Sequence, residues 1–556
     1  MDRGWVNFRA PALANAAFEV LRLQGEERLN HLPVLSVDIQ TLVPGTDAYR
    51  RLLSTDVVSL EFEEEGKVLR SFHGLVVDVE LVHPPLEAEG KERGSSFARV
   101  RIAPRLWLLG QNFGSEIFIN ATYPEIIRQK LEAVGLEPDR DYRFAISETH
   151  PRRELTVQYQ ETDLAFVQRL CEHSGLITRF EYTGKHDRWL ITDVPTSLAA
   201  DEGRLPIPVR TQADHPAAYG VVTRLQRSAQ SVTIHDYNYR APRLALLQES
   251  DGTAEAKLGR RVEYGAHTKD PAEARRISAV RQQALAARAE VVTGGCSAMY
   301  LEVGQRLVLD HAELGTMELM IVALEHRSRE HDGHRGLDTR FEAIPAGTSF
   351  RPPRITPWPR VEGLINARVD GQIKGHYAEL DEAGRYHVQM AFDRSGRTNR
   401  QASHPVRMAQ PHAGAHYGMH FPLRPGAEVL LGFVDGNPDR PLIVGTAPNP
   451  ENASPVDADN YSQNILRTKS GNELVIEDEL GRERVRIHSP HSASTLQLGS
   501  VDEPEEGILL QTEGHISHAC RGTHNVASRA EAHLTGQSVT MATEHAVCLA
   551  GLAAAA

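Results

Sequence analysis

The stretch GHISHACR GTHNVASR AEAHLTGQ SVTMATEH AVCLAGLA, residues 514–553, constrains the fold most, because it divides into eights. Gly514, Gly522, Ala530, Ser538 and Ala546 take the first place of successive octads, and turn-sized residues at a fixed period are how a β-helix marks its corners. A series of short strands on one chain cannot bury both faces, and its ladders end in open edges. A chain carrying such a segment is expected to need neighbours.

Upstream, NELVIEDE, RVRIHSP, STLQLGS and GILLQTEG alternate apolar and polar residues, the period of strands. GAEVLLGFVDGNPDRPLIVGTAPNPEN, residues 426–452, reads as a hairpin: two aliphatic runs flank a turn from Asp435 to Pro441. With INARVDGQI, RYHVQMAFD and HPVRMAQ it predicts a small closed barrel over 363–450, followed by a strand-built stem over 463–556. Prolines at 345, 352, 353, 357 and 359 mark 346–362 as a linker.

Residues 1–345 are expected to be strand-rich with three helices, near 122–135, 162–175 and 270–290. Thr122 with Glu125 has capping-box spacing, and Gly135 supplies the stop. Thr162 and Gly175 repeat that grammar, with Cys171 on the apolar face as a small core residue. Asp270, Pro271 and Glu273 open the third, whose Ala and Arg content suits an exposed amphipathic helix.

A net charge of −13 argues against a general affinity for nucleic acid or anionic membrane, which requires a basic surface. The first twenty residues carry charges and Asn where a signal peptide needs an unbroken apolar core, so no secretory address is readable. Cys171, Cys296, Cys520 and Cys548 lack the spacing of a disulfide framework or zinc ribbon, which suits a reducing cytoplasm.

EVLLGFVDGNPDRPLIVGTAPNPEN, with GMHFPLRPG before it, resembles the end of the OB-fold in the VgrG (TssI) family, the trimeric spikes of type VI secretion systems. ARVRIAPRLWLLGQNFGSEIFINATYPEII and RELTVQYQETDLAFVQRLCEHSGL resemble the hub of that family. FEAIPAGTSFRPPRITPWP resembles its hub-to-barrel linker, and SGNELVIEDELGRERVRIHSP the start of its stem. The resemblance implies a mainly β fold with some α: β-barrel hub domains, an OB-fold barrel and an intertwined triple-stranded β-helix or prism. It also implies a homotrimer that caps the hexameric Hcp tube, carries a PAAR-repeat tip with effectors or adaptors, and meets baseplate components. Such an assembly forms in the cytoplasm and is driven into a target cell, without nucleic acid or stable membrane insertion. In that prism Ile516, Val526 and Leu534 would point inward, and Arg521, Arg529 and Glu531 would face water or corners. Many members have aromatic residues where this chain has His412 and His416, and many continue beyond the equivalent of LAGLAAAA, which leaves a short stem and a cut one both open.

The chemistry-bearing residues favour bland readings. His412, His416 and His420 are spaced by four, a zinc-ligand spacing on a helix, but Pro411, Gly414, Gly418 and Pro422 make them barrel-loop histidines. His518, Cys520 and His524 share a strand face that excludes His515, and a threefold axis could gather such side chains around an ion; the structural reading is preferred. His326, His331 and His334 read as a polar hairpin tip around Asp332 and Gly333. Glu63, Glu64 and Glu65 read as a solvated face. No P-loop, dinucleotide fingerprint, nucleophile elbow or zincin pair is present, so no catalytic, cofactor or metal residue is assigned. Two rival readings are weaker. A spike carrying a hydrolase would need an inserted domain, and only PENASPVDADNYS separates barrel from stem. A nucleic-acid-binding barrel would need a basic groove with stacking aromatics.

Overall fold

A computed structural model describes residues 5–13, 17–41, 47–54, 57–82, 96–183, 186–195, 205–211, 216–250, 259–331, 334–372, 377–499, 507–533, 535–538 and 540. The chain packs as two units, Met1–Ala447 and Pro448–Ala556.

In the first unit one antiparallel sheet runs through Trp5–Arg9, Val58–Glu64, Lys67–Val82, Ser96–Ala103, Val34–Thr41, Phe18–Arg28, Gly315–His331, His334–Pro345, Glu290–Cys296 and Ala218–Leu225. It carries two cores. Phe8, Leu23, Val37, Phe62, Phe72 and Ile102 pack together in the first, and Val292, Leu309, Ile321, Leu324 and Phe341 in the second. The halves meet where Phe18–Arg28 pairs with Gly315–His331. At that seam a Cβ on Gly25 would sit 2.4 Å from Leu35 Cδ2 and 2.8 Å from Val34 O, so only glycine fits.

The long hairpin ends in the pairing of His331 with His334, as the polar-tip reading requires; the side chains of those two residues and the turn itself lie outside the described residues. His326 departs from that reading. It is buried, its Nε2 lies 2.8 Å from Glu27 Oε1, and its Nδ1 lies 3.1 Å from Thr339 Oγ1. Arg70 binds the same carboxylate and donates to Leu301 O at 2.5 Å. Burial alone would raise the Glu27 carboxyl, but Arg70 and His326 overcome it and hold it down at about 2.

Among the described residues four α-helices punctuate the sheets: α1 (Asp47–Leu52), α2 (Tyr123–Ala133), α3 (Asp163–Ser174) and α4 (Pro271–Ala286). The three expected from capping signals form with those caps: the Thr122/Glu125 box closes, Thr162 Oγ1 accepts from Ala165 N, and Asp270 accepts from Glu273 N. Gly175 ends α3 at φ 77°. Cys171 is buried, as its apolar neighbours implied. Helix α4 is less exposed than its composition suggested. Arg281 and Gln282 are buried with Ile277 and Val280, because Arg281 reaches the backbone carbonyls of Glu172 and His173 at the end of α3.

The barrel strands Ile365–Asp370, His387–Met390, Glu428–Phe433 and Pro441–Thr446 form one sheet. Its core holds Val369, Val388, Val429, Leu431 and Ile443, and is completed by Ile117, Leu155 and Val157 from the paired strands Phe113–Ala121 and Arg153–Thr162. The proline-rich segment before it is docked along its length. Arg351 donates to Gly175 O and Asp193 O at 2.9 and 2.7 Å, and Glu172 accepts from the backbone of Ile355 and Thr356, each at 2.9 Å.

The barrel hairpin forms as expected, and its turn does more than reverse the chain. Asp435 and Gly436 take left-handed φ of 56° and 69°. The turn thereby presents Asp439, whose Oδ1 accepts from Val157 N at 2.6 Å. Burial raises the Asp439 carboxyl to about 6 despite nearby Arg169 and Arg153. His267, 3.8 Å away, is kept neutral by its own burial, so the two form no ion pair. An acid with a raised folded-state pKa favours folding when protonated, and that advantage is lost as pH rises from about 4 through 6. Asp439→Asn keeps an acceptor for Val157 and loses the charge. Thermal denaturation should show equal stability at pH 4 and a gain of about 2–3 kcal/mol over the native chain at pH 8.

The second unit is a five-stranded antiparallel meander of Gln463–Arg467, Glu473–Glu477, Arg484–Ser489, Ser494–Gly499 and Gly507–Gln511. Beyond it the chain bends at 513–514, 521–522 and 529–530, the octad corners at Gly514, Gly522 and Ala530, and the next bend falls at 536–537. Between corners the described residues form no strand pairs and are exposed. A single strand without a neighbour has no ladder to hold it.

Candidate assembly face

Strand register decides which side chains of the meander share a face. Leu466, Leu474, Ile487, Leu496 and Leu510 are successive cross-strand partners, and the next row holds Asn464, Ile476, Val485, Leu498 and Ile508. Nine of these ten residues are aliphatic. Yet Ile487 and Leu510 are each 52% exposed and Ile508 78%, while Leu466, Ile476 and Leu498 are also exposed.

The opposite face is mixed, with Ile465, buried Val475 and Leu509 among charged and polar side chains that pair with one another. Glu473 is gripped by Arg467 at 2.7 Å and Arg486 at 2.5 Å, which hold its carboxyl below its ordinary value against partial burial. Gln463 Nε2 donates to Glu477 at 2.9 Å. A soluble sheet normally turns its aliphatic face inward and its charges outward. Here the aliphatic face is open, a contiguous patch of the kind that marks a protein–protein contact.

The tail continues the pattern, with Ile516 51% and Val526 78% exposed. Leu534, the third inward position expected from the octads, lies outside the described residues, as does Cys548. Arg521, Arg529 and Glu531 are exposed.

The histidine sets occupy other places. His412 and His416 lie in an exposed hairpin pairing Ala413–Gly414 with Tyr417–Gly418, where the His412 ring sits 5.5 Å from that of Tyr417. His420 is drawn to the barrel, with its Nε2 3.0 Å from Tyr386 Oη. In the tail the His518 and His524 rings are 5.7 Å apart, Cys520 Sγ donates to Gly522 O at 3.2 Å, and His515 borders the meander's aliphatic face. Among the described residues no three His, Cys, Asp or Glu side chains gather in a geometry that could hold a metal ion. Glu65 sits in a left-handed turn beside Gly66.

Comparison with known proteins locates these features. Residues 26–332 match the family described as phage tail baseplate hub (GPD), and residues 377–447 match the type VI secretion system/phage-baseplate injector OB domain. The actin cross-linking toxin VgrG1 of Vibrio cholerae is 30% identical over 71% of this chain and 37% of its own length. The type VI secretion system spike protein VgrG1b of Pseudomonas aeruginosa is 27% identical over 86% of this chain and 66% of its own. The chain thus spans between about a third and two thirds of these curated relatives. Among solved structures, the E. coli c3393 protein, a type VI secretion component with structural similarity to the T4 bacteriophage tail proteins gp27 and gp5, superposes with a TM-score of 0.55 at 20% identity, over 80% of this chain and all of that one. A Francisella PdpA-VgrG complex superposes with a TM-score of 0.59 at 9% identity, over 89% of this chain and 76% of that one. With the hub family matched across more than half of its length, the chain belongs to the phage tail baseplate hub (GPD) family, and VgrG spike proteins of type VI secretion are among the proteins it resembles.

Proposed function

We propose that the chain is the hub and spike of a type VI secretion machine, working as a homotrimer and without catalytic activity of its own. The observation that carries this reading is the open aliphatic face of the meander, which one chain leaves in water and copies of itself around an axis would cover. Residues 1–345 form the hub that caps an Hcp ring, 363–450 the barrel, and 463–556 the stem, whose bends at octad spacing suit strands wound with two neighbours and a PAAR-repeat tip beyond. Effectors or adaptors ride on the assembly, which forms in the cytoplasm beside baseplate components and leaves on firing. Among the described residues no helix is long and apolar enough to cross a membrane. The toxin activity in the Vibrio relative's name belongs to that much longer protein.

Light scattering on the purified chain should return three times 61.6 kDa, and the trimer should co-sediment with a cognate Hcp ring. A monomeric mass at micromolar concentration, or a trimer that fails to cap the ring, would contradict this reading. Incubation with peptidoglycan should release no fragments.

A further inference from the structure

We propose that a groove of about 760 Å³ between strand Arg260–Tyr264, helix α4 and the docked proline-rich segment binds an acidic peptide segment of a partner protein. Six guanidinium groups line it, from Arg169, Arg261, Arg281, Arg288, Arg354 and Arg360, in a chain whose net charge is −13. The two carboxylates among the lining residues, Glu172 and Glu263, are both engaged, and Glu161 behind them pairs with Arg169 at 2.7 Å. Glu172 holds the backbone of Ile355 and Thr356, and Glu263 pairs with Arg281 at 3.3 Å and Arg354 at 2.8 Å.

The surplus positive charge is real at the level of single residues. Arg261 and Arg288 are exposed and have no side-chain partner among the described residues. Arg169 adds nothing to that surplus, because it is fully buried, stacks on Trp358 at 4.3 Å and is paired with Glu161 at 2.7 Å. Arg281 is crowded by Arg354 and Arg276, and burial with that crowding lowers it to about 10.

The chemistry selects peptide over nucleic acid. Guanidinium groups grip carboxylates two bonds at a time, and the walls add exposed Ile355 and Val262 and the Trp358 ring, which suit aliphatic side chains. A phosphate backbone offers no aliphatic side chain to those walls, whereas a peptide alternating carboxylates with leucine meets both the arginines and the apolar surface. This inference stands independently of the spike reading, since it concerns only the first unit.

The test uses the full-length chain and a dye-labelled (Glu-Glu-Leu)3 peptide in fluorescence anisotropy. Saturable binding is expected, weakened at least tenfold by about 0.5 M salt. Arg261→Glu and Arg288→Glu, which break no internal bond, should each weaken it by about tenfold, since one lost charge-assisted contact is worth about 1.4 kcal/mol or more. Arg394→Glu on the barrel should change nothing. Absence of saturable binding, indifference to both reversals, or equal reversal-sensitive affinity for oligothymidylate would each overturn the proposal.

Discussion

Ile487→Asp is expected to give a folded single chain of 61.6 kDa in place of a trimer. Ile487 lies on the middle strand of the meander, between Leu474 and Leu496, and half of its surface is already in water in one chain. The isolated sheet therefore loses little from the substitution. In the assembly, burying an isoleucine contributes about 1.5–3 kcal/mol, and threefold symmetry repeats the loss three times. Three carboxylates brought near one axis add repulsion and desolvation. Even the burial term alone, about 2–5 kcal/mol per trimer for the exposed half of the side chain, shifts association by about fiftyfold or more. Gln511→Asp, on the opposite face of the edge strand, should remain trimeric. Light scattering separates the outcomes, and a trimeric Ile487→Asp would show that this face is not where copies meet.

Arg70→Ala is expected to be the most destabilising single change in the hub. It leaves Glu27, buried between the two cores, with His326 as its remaining partner. Removing one member of a buried, hydrogen-bonded ion pair costs about 3–5 kcal/mol, because the other charge stays behind unsolvated. The loss should depend on pH in a defined direction. Glu27 has a folded-state pKa near 2, below its ordinary 4.5, so its contribution is present above about pH 4.5 and lost as pH falls towards 2. Urea unfolding of the native chain, followed by the fluorescence of Trp5, Trp107, Trp189 and Trp358, should therefore narrow its gap to Arg70→Ala as pH falls from 7 to 3. A constant gap across that range would exclude the pair as the cause.

The parts of this fold that were legible in the sequence are those written locally. Thr122 with Glu125, Thr162 with Gly175, and Asp270 with Pro271 announce helices because a cap and its partner lie within a turn or two of each other. Three of the five octad corners were legible for the same reason, since the chain bends at Gly514, Gly522 and Ala530, whereas the next bend falls at 536–537, before Ser538, and Ala546 lies outside the described residues. The buried network was not legible. Glu27 meets Arg70 across 43 residues and His326 across 299, and no local pattern distinguishes such a histidine from one at a hairpin tip. The alternation in Glu473–Glu477 and Arg484–Ser489 announced strands, but only register showed that Leu474, Ile487 and Leu496 line one face and that the charges pair on the other.

The barrel's core is finished by Ile117, Leu155 and Val157, and its hairpin turn supplies Asp439 to the strand that carries Val157. In terms of descent, this makes the barrel heritable only together with the hub. A crossover between two related genes that fell between residues 363 and 447 would unite half a core with a stranger's complement and leave a backbone amide without its acceptor. An exchange of distal ends between two related chains would keep this core whole if its junction fell beyond Ala447.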